Sequence, residues 1–348
     1  MNLYFNRSLC FFFFNLTTLI LVIPEELPAQ SGHNYMPAKI GWHDAVYDDN
    51  KKEPKLVPWT TWDNAIEREM NWYLNAPVNE QGYPSFVCIT NIDENYQSRR
   101  NDNFPKPKNG DIYVIAHRGA HIGIPENSLA AIQKAIDIGC DYVEIDTRAT
   151  RDGRIVSVHN ATIDQYVTGK TGKVKDYTLA ELKQMDIGEK IGQDWRNTRI
   201  PTIEEILQLC RGQIGIYLDL KEPLVPELIQ IIHKYDMERD IIWYISASRP
   251  DLIKELQNLC YQCIPMPDPG AEKNITEVER QVHPQIFASD MSKLSESFVK
   301  TAHANSTKVF VDEEKGTREE WEQIINWGTD GIQTDDPAAL IEFLQERK

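Results

Sequence analysis

Residues 112–159 read IYVIAHRGAHIGIPENSLAAIQKAIDIGCDYVEIDTRATRDGRIVSVH, and this stretch decides the fold class. Apolar segments at 112–117, 142–148 and 154–159 have the composition of buried strands, and a helical pattern lies at 128–138. Strands that alternate with helices favour a parallel sheet. Polar residues stand at the carboxyl ends of these strands, where the active sites of α/β barrels form. The segment therefore predicts an α/β fold with a functional site at one end of its sheet.

The same alternation continues to the C-terminus. Further candidate strands lie at 214–221, 241–246, 262–266, 285–289, 308–312 and 331–334. With the first three they make nine candidates, one more than an eight-stranded barrel needs. We therefore expect one of the first three to be a hairpin arm or a loop edge. The chain from residue 111 onward is close in length to the ~250 residues that an α/β barrel typically takes.

The polar residues at these strand ends are suited to the cleavage of a phosphodiester. Such a substrate is an anion with a poor leaving group, so catalysis needs positive charge at the phosphoryl oxygens and a proton for the departing oxygen. Arg118 can bind phosphate through two hydrogen bonds. Glu144 and Asp146 alternate along one strand and share a face, where a hard divalent cation would offset their repulsion. Histidine suits proton transfer near neutral pH, and His117 and His159 could divide the roles of general base and general acid.

Six motifs in this order resemble the glycerophosphodiester phosphodiesterase family, and the resemblance covers residues 111–348. They are His117-Arg118-Gly119, Pro125-Glu126-Asn127, GCDYVEID at 139–146, Arg151-Asp152-Gly153 before His159, Leu218-Asp219-Leu220-Lys221, and GTDGIQTDDP at 328–337. The resemblance implies a TIM-type (β/α)8 barrel, with an N-terminal extension before it. It also implies a small insertion after the second catalytic histidine, which here would be the glycine-rich connection at 160–201.

The resemblance further implies an activity and the residues that carry it. Members hydrolyse small-molecule glycerophosphodiesters to an alcohol and sn-glycerol 3-phosphate with a divalent metal, Mg²⁺ or Ca²⁺. His117 and His159 would be the catalytic acid/base pair, and Arg118 and Lys221 would bind the substrate phosphate. The implied metal ligands are Glu144, Asp146 and Asp219. In this scheme the 2-hydroxyl of the substrate glycerol attacks phosphorus, and water then opens the cyclic phosphate.

Three positions depart from the family pattern. Asn160 follows the second histidine where Asp is usual, so a carboxylate that orients His159 would have to come from elsewhere. Asp219 stands where Glu is common, which shortens the third implied metal ligand by one methylene. Residues 311–315 replace a Trp-Thr-Val-Asn-like strand end at the barrel mouth, and this replacement bears on the class of substrate.

Other interpretations of the same residues stay open at this point. The two acidic residues of 142–146 could be salt-bridged to Arg118 and Arg148 instead of binding a metal. Asp219 could simply pair with Lys221 inside the barrel. Each of these arrangements would satisfy the charges without any catalytic role.

Two alternative functions also stay open. Lysophospholipase D or phosphoinositide-type phosphodiesterase action on an intact lipid would need an apolar rim at the barrel mouth. The chain could also be a barrel-derived binding protein without turnover, in which case Asn160 and Asp219 would be signs of lost activity. His121 is a further histidine near the motifs, and we expect it to lie in the loop before Pro125, outside the site.

The N-terminus has the pattern of a secretory signal peptide at residues 1–29. Arg7 precedes an apolar stretch at 9–23, and Ala29 offers a small residue for cleavage. We expect an exported protein, periplasmic or extracellular, without stable membrane insertion after cleavage; an uncleaved membrane anchor is the alternative. Residues 30–110 would form a Trp-rich extension and linker that packs on the barrel as a clasp, or else an aromatic platform for a sugar or lipid headgroup.

Net charge and cysteine usage limit the partners and the redox chemistry. The formal net charge of −16 argues against a nucleic-acid partner, so a substrate anion must be attracted by a local basic pocket. Cys260-x-x-Cys263 indicates one local disulfide, and Cys88, Cys140 and Cys210 are expected to be core thiols. Nothing in the sequence indicates an oligomeric state.

Overall fold

The structure, a computed structural model, describes residues 104–348 apart from positions 261, 314 and 348, together with four short strands nearer the N-terminus. Those strands form two antiparallel pairs, Phe11–Asn15 with Thr18–Val22 and His43–Asp44 with Leu56–Val57. These strands and residues 104–110 aside, the predicted signal peptide and extension lie outside the described residues.

The chain divides into two compact units. One comprises Met1–Asn103 with Gln257–Tyr261, and the other comprises Phe104–Leu256 with Gln262–Lys348. The second unit carries all six motifs, and its fold positions the residues discussed below.

Nine strands of the second unit match the nine candidates, and eight of them form a parallel barrel. In chain order they are β1 (Tyr113–Ala116), β2 (Tyr142–Ala149), β3 (Ile155–Ser157), β4 (Gly215–Asp219), β5 (Ile241–Ser246), β6 (Ile264–Asp268), β7 (Ile286–Asp290), β8 (Lys308–Asp312) and β9 (Gly331–Thr334). The barrel order is β6-β5-β4-β2-β1-β9-β8-β7, and β6 lies beside β7, so the barrel is nearly closed. Because β3 pairs antiparallel with the end of β2, the expected hairpin arm is confirmed, as is the TIM-type barrel.

Helices follow the strands along the chain. Those described are α1 (Leu129–Asp137), α2 (Leu179–Leu182), α3 (Ile203–Cys210), α4 (Val225–His233), α5 (Pro250–Leu259), α6 (Ile275–Val282), α7 (Glu296–Ala304), α8 (Arg318–Asn326) and α9 (Pro337–Glu346). Side chains determine where several of them begin. Ser128 Oγ accepts a hydrogen bond from the Ala131 N–H at 3.1 Å, so Ser128 is the N-cap of α1. The neighbouring Asn127 is thereby free for another role.

Alternate residues of the strands point into the barrel, and those nearest its amino end form a buried apolar cluster. Its larger members are Tyr113, Ile115, Tyr142, Tyr217, Ile264, Met266, Ile286 and Phe310. Gly331 makes room for this packing, because a Cβ at that position would lie 2.6 Å from the Phe310 ring. Since side chains alternate along a strand, residues two positions further on face the same interior at the carboxyl end. Those residues are acidic on β2, β4, β6, β7 and β8.

The connection after β3 forms the predicted small insertion. It contains α2, which is capped by Thr178, and two short 3-10 helices, Val174–Asp176 and Gln193–Trp195. Its own buried cluster joins it to β3 and includes Val156, Ile163, Val167, Leu182 and Ile187. Because the insertion packs through its own apolar core, it can hold side chains in fixed places beside the barrel end.

Two further expectations concern membranes and cysteines. None of the helices in the described part of the chain combines the length and the apolar character needed to cross a bilayer. Cys140 and Cys210 are buried free thiols, as expected. Cys260 and Cys263 are each disulfide-bonded, whereas Cys88 lies outside the described residues.

Candidate functional site

Three carboxylates meet at the carboxyl end of the barrel. Glu144 and Asp146 face the interior from β2, and the parallel register places Asp146 directly opposite Asp219 of β4. One ligand oxygen from each residue lies within 4.8 Å of the others. Glu144 and Asp146 are buried, with 2% and 0% of their surface exposed. We call these three residues the acidic cluster.

The cations around the acidic cluster do not balance its charge. Lys221 Nζ lies 2.5 Å from Asp219 Oδ2 and 3.1 Å from Asp146 Oδ1, and Arg118 Nε lies 3.8 Å from Asp146 Oδ2. Arg118 is itself shared with another carboxylate. Burial, together with the charges of Asp146 and Asp219, raises the pKa of Glu144 well above its usual range. A cluster of carboxylate oxygens with surplus negative charge fits a hard divalent cation.

The two histidines are oriented by different partners. His117 Nδ1 is 2.7 Å from Asp335 Oδ1, and this hydrogen bond lowers the pKa of the Asp335 carboxyl. His159 Nδ1 is 2.9 Å from Asn160 Oδ1. The Asn160 amide therefore occupies the place beside His159 where a carboxylate is usual, and its Nδ2 donates in turn to Gln165 Oε1 at 2.6 Å. With Nδ1 engaged in both rings, Nε2 is the nitrogen left for a substrate.

Arg118 is held by the backbone, by Glu126 and by the insertion. Its φ of 51° is left-handed, and its N–H donates to Glu144 Oε2 at 2.7 Å. Its guanidinium donates to both Glu126 oxygens at 3.0 and 3.2 Å. Tyr166 of the insertion donates its hydroxyl to the same Glu126 carboxylate at 2.9 Å. Gly119 allows the following turn, because at its φ of 85° a Cβ would lie 2.7 Å from the Ala131 side chain.

These groups open into one cavity of about 190 Å³ at the barrel end. It is lined by His117, Arg118, Glu144, His159, Tyr217, Asp219, Lys221, Tyr244, Asp268, Ser289, Asp290, Asp312 and Gln333. Six of the seven residues named from sequence thus line a single cavity, and Asp146 lies beneath it in the acidic cluster. Such a cavity can bind an anionic ester between cations and transfer protons through two imidazoles.

Several known proteins are similar to this chain in sequence and in barrel fold. A sequence model described as the glycerophosphoryl diester phosphodiesterase family matches residues 117–263. A glycerophosphodiester phosphodiesterase of Caldanaerobacter subterraneus is 32% identical over 251 residues, which are 67% of this chain and 98% of that protein. The chain belongs to the glycerophosphodiester phosphodiesterase family. It is accordingly a phosphoric diester hydrolase.

A further relative and two solved structures extend the comparison. A Bacillus altitudinis member is 28% identical over 253 residues, 68% of this chain and 99% of its own. A crystal structure of the Agrobacterium tumefaciens member has 23% identity and a TM-score of 0.61, covering 66% of this chain and 99% of that one. A phosphodiesterase of Oleispira antarctica, in complex with the product sn-glycerol-3-phosphate, has 24% identity and a TM-score of 0.61, covering 67% and 96%. Both solved structures share the barrel fold.

The ion pairs considered as alternatives to a metal site are present only in part. Lys221 does pair with Asp219, but within the acidic cluster and at the cavity wall. Arg148 is not part of the cluster, because it pairs with Glu222 at 3.5 Å and donates to the His159 carbonyl. His121 does not line the cavity, and its Nδ1 donates to the His117 carbonyl at 2.8 Å.

Two residues with a clear place in the site were not assigned a role there from sequence. Asn127, with φ 54°, donates its amide to Asp146 Oδ2 at 2.7 Å and accepts from Ser157 Oγ at 2.5 Å. Asp335 is the partner of His117. Both belong to family motifs quoted above, Pro-Glu-Asn and Thr-Asp-Asp-Pro, and that membership was the available signal.

We expect Tyr166→Phe to lower kcat/KM about tenfold, because a hydrogen bond to a charged carboxylate is worth roughly 1.5–3 kcal/mol and here it positions the partner of Arg118. Steady-state kinetics with a glycerophosphodiester and a thermal melt of each variant measure the effect. The matched control is Tyr177→Phe, which removes a hydroxyl bound to the Thr171 carbonyl in the same insertion. Equal loss of activity in both variants would contradict a role for Tyr166 in positioning Arg118.

Proposed function

We propose that the chain hydrolyses glycerophosphodiesters to an alcohol and sn-glycerol 3-phosphate, with His117 and His159 as the acid/base pair and a divalent metal at the acidic cluster. The observation that carries the proposal is the presence of both histidines, Arg118, Lys221 and the acidic cluster at one cavity. The sn-glycerol-3-phosphate bound to the related Oleispira antarctica phosphodiesterase is the product expected of this reaction. We propose further that residues 111–348 form the catalytic domain and that residues 1–29 direct export.

In the first step the substrate supplies its own nucleophile. Arg118 and Lys221 hold the phosphoryl group by its oxygens. One histidine accepts the proton of the glycerol 2-hydroxyl as that oxygen bonds to phosphorus. The other histidine gives a proton to the headgroup oxygen as its bond to phosphorus breaks, so the headgroup leaves as a neutral alcohol. The remaining product is a cyclic glycerol phosphate.

In the second step water opens the ring and the histidines exchange roles. The histidine that gave its proton now takes one from water as the water oxygen bonds to phosphorus. Its partner returns its proton to the glycerol 2-oxygen as that bond breaks, and sn-glycerol 3-phosphate leaves. Each histidine ends the cycle in its starting state, as catalysis requires.

The acidic cluster would hold the metal. Mg²⁺ and Ca²⁺ both take carboxylate oxygens, and either ion supplies Lewis-acid charge at the phosphoryl oxygens when bound. Asn127 holds Asp146 in place by donating to Oδ2, and the Arg118 N–H does the same for Glu144. The remaining candidate ligand atoms are Glu144 Oε1 and Asp146 Oδ1, and the latter lies 3.1 Å from Lys221 Nζ.

The cavity favours water-soluble diesters over intact lipids. Every residue that lines it is ionisable or polar, with Tyr217 and Tyr244 as its largest surfaces. A lysophospholipid needs an apolar rim for its acyl chain, and aliphatic side chains are absent from this lining among the described residues. Ile122 and Ile191 are exposed, but neither contributes to the cavity wall.

The test is release of sn-glycerol 3-phosphate by the purified full chain from glycerophosphoethanolamine, glycerophosphocholine and glycerophosphoglycerol. We expect no release after chelation and recovery when Mg²⁺ or Ca²⁺ is restored. As a specificity control, sn-glycerol 3-phosphate itself should yield no inorganic phosphate. Failure to release product from all three diesters with either ion would overturn the proposed reaction, and release that survives chelation would overturn the metal requirement.

A further inference from the structure

Three further carboxylates line the cavity but have no role in the proposed chemistry, and two of them lie across the barrel from the acidic cluster. Asp268, Asp290 and Asp312 end the neighbouring strands β6, β7 and β8, and all three line the cavity. The parallel register pairs Asp290 with Asp312. In the barrel order β7 lies four positions from β2 and β8 lies four positions from β4, which is halfway round eight strands, whereas β6 lies two positions from β4. We call these three residues the acidic wall.

The acidic wall carries more negative charge than its neighbours offset. Lys293 Nζ lies 3.7 Å from Asp268 Oδ2 and also forms an ion pair with Asp290, so one ammonium serves two carboxylates. Among the residues that the structure describes, no Lys or Arg forms an ion pair with Asp312. Burial raises the pKa of Asp312 more than the charge of His117 and the hydrogen bond of Gln333 lower it, so a further cation would stabilise its ionised form.

A second, independent feature of the wall also calls for a ligand. Gln333 is the register partner of Asp312, lines the cavity and is only 5% exposed. Its side chain hydrogen-bonds to Asp312, yet its Oε1 has no hydrogen-bond partner within the described part of the chain. A buried acceptor without a donor is costly. The carboxylates and this amide oxygen together present acceptors only, so they suit a group that is both cationic and rich in N–H donors.

The geometry of the reaction places the leaving headgroup at this wall. The argument rests on the proposed function, in which the glycerol 2-hydroxyl attacks phosphorus. Attacking and leaving oxygens lie roughly in line on opposite sides of a transferring phosphoryl group. Arg118 and Lys221 contact the acidic cluster, so a phosphate bound to them lies on that side of the cavity. When the glycerol occupies the cluster side, the in-line headgroup points across the cavity toward the acidic wall.

We infer that the acidic wall and Gln333 form a headgroup subsite for a primary ammonium, so that glycerophosphoethanolamine is the preferred class of substrate. Asp312 supplies a carboxylate that pairs with no described Lys or Arg, and Gln333 Oε1 accepts one N–H of the ammonium. Choline has the charge without N–H donors, and glycerol has hydroxyl donors without the charge. These two headgroups therefore separate the two components of recognition.

The experiment compares kcat/KM for glycerophosphoethanolamine, glycerophosphocholine and glycerophosphoglycerol with the metal-loaded full chain. The expected order is ethanolamine, then choline, then glycerol. Asp312→Asn should lower kcat/KM for the ethanolamine diester about tenfold more than for the glycerol diester, because only the former loses an ion pair. Gln333→Leu should lower the ratio of ethanolamine to choline kcat/KM, since the removed acceptor serves N–H donors. Asp111→Asn, an exposed change before β1 at the other end of the barrel, is the control.

The outcomes are distinguishable from those of the proposed function. Hydrolysis of all three diesters with equal kcat/KM, or a preference for the glycerol headgroup, would overturn the subsite while leaving the reaction intact. A fall of the same factor for every substrate in both variants would also overturn it. If Asp312→Asn does not fold, as judged by its melt, the Gln333→Leu ratio and the wild-type order still decide the question. If none of the three diesters is hydrolysed, the result contradicts the proposed function itself and not only the subsite.

Discussion

His159→Ala is expected to lower kcat roughly 1,000-fold, with a melting temperature close to that of the wild type, and His117→Ala is expected to do the same. Each imidazole moves one proton in each step, and general acid–base catalysis typically contributes about 10²–10⁴ to rate. Both rings line the cavity with Nδ1 engaged by a neighbour, so their loss removes proton transfer without removing a core contact. The double variant should be little slower than either single one, because residues that act as a unit are not additive.

A substrate with an activated leaving group assigns the roles of the two histidines. In a glycerophosphodiester of p-nitrophenol the departing oxygen needs no proton, so loss of the general acid should matter far less than with the ethanolamine diester. The variant that regains most of its rate on this substrate has lost the acid of the first step. His233→Ala is the matched control, since that exposed histidine lies on the outer helix α4 and pairs with Glu238. A loss of less than about tenfold in both cavity variants would refute acid/base catalysis by this pair.

Much of the barrel and part of the site could be predicted because local pattern determines them. Each strand is short, apolar and followed by a helix signal, so all nine were found from sequence. Glu144 and Asp146 were placed together because residues two apart on a strand share a face. Asp219 was added by the family resemblance alone, since nothing in its local pattern shows that the register of β2 and β4 would set it opposite Asp146.

The contacts that could not be predicted depend on closure of the barrel and on the path of the insertion. Asp335 meets His117 across 218 positions, because β9 pairs with β1 when the barrel closes. Tyr166 reaches Glu126 only because the insertion folds on its own apolar cluster. The acidic wall likewise needs the register of β7 with β8, whereas the sequence marked only residues 311–315 as unusual. Long-range register is the information that a single sequence lacks.

Glu144→Gln is expected to have effects of opposite sign on activity and on the stability of the metal-free protein. Activity should fall by more than about 100-fold, because the substitution removes one ionised oxygen ligand. The chelated variant should nevertheless melt at a higher temperature than the chelated wild type. Glu144 is buried beside two other carboxylates, and its ionised form is disfavoured there first by burial and then by Asp146 and Asp219. Glutamine removes that charge and still accepts from the Arg118 N–H.

The pH dependence of the melt separates this cause from general stabilisation. A carboxyl whose pKa is raised on folding binds its proton more tightly in the folded chain, so stability falls as pH rises from the ordinary glutamate range through the raised value. The chelated wild type should therefore gain stability relative to Glu144→Gln as pH is lowered across that window. Adding Mg²⁺ or Ca²⁺ should raise the melting temperature of the wild type and leave that of the variant nearly unchanged. Glu342→Gln, an exposed change on α9, is the matched control.

If the metal raised the melting temperature of the wild type and of Glu144→Gln by the same amount, the ion would bind elsewhere than at the acidic cluster. A chelated variant less stable than the chelated wild type at neutral pH would mean that Lys221 and Arg118 already offset the three carboxylates. The prediction is that they do not, because Arg118 is shared with Glu126 and a single ammonium cannot neutralise both Asp146 and Asp219. On that charge balance, a cation that binds the cluster stabilises the fold and prepares the site for its substrate by the same contacts.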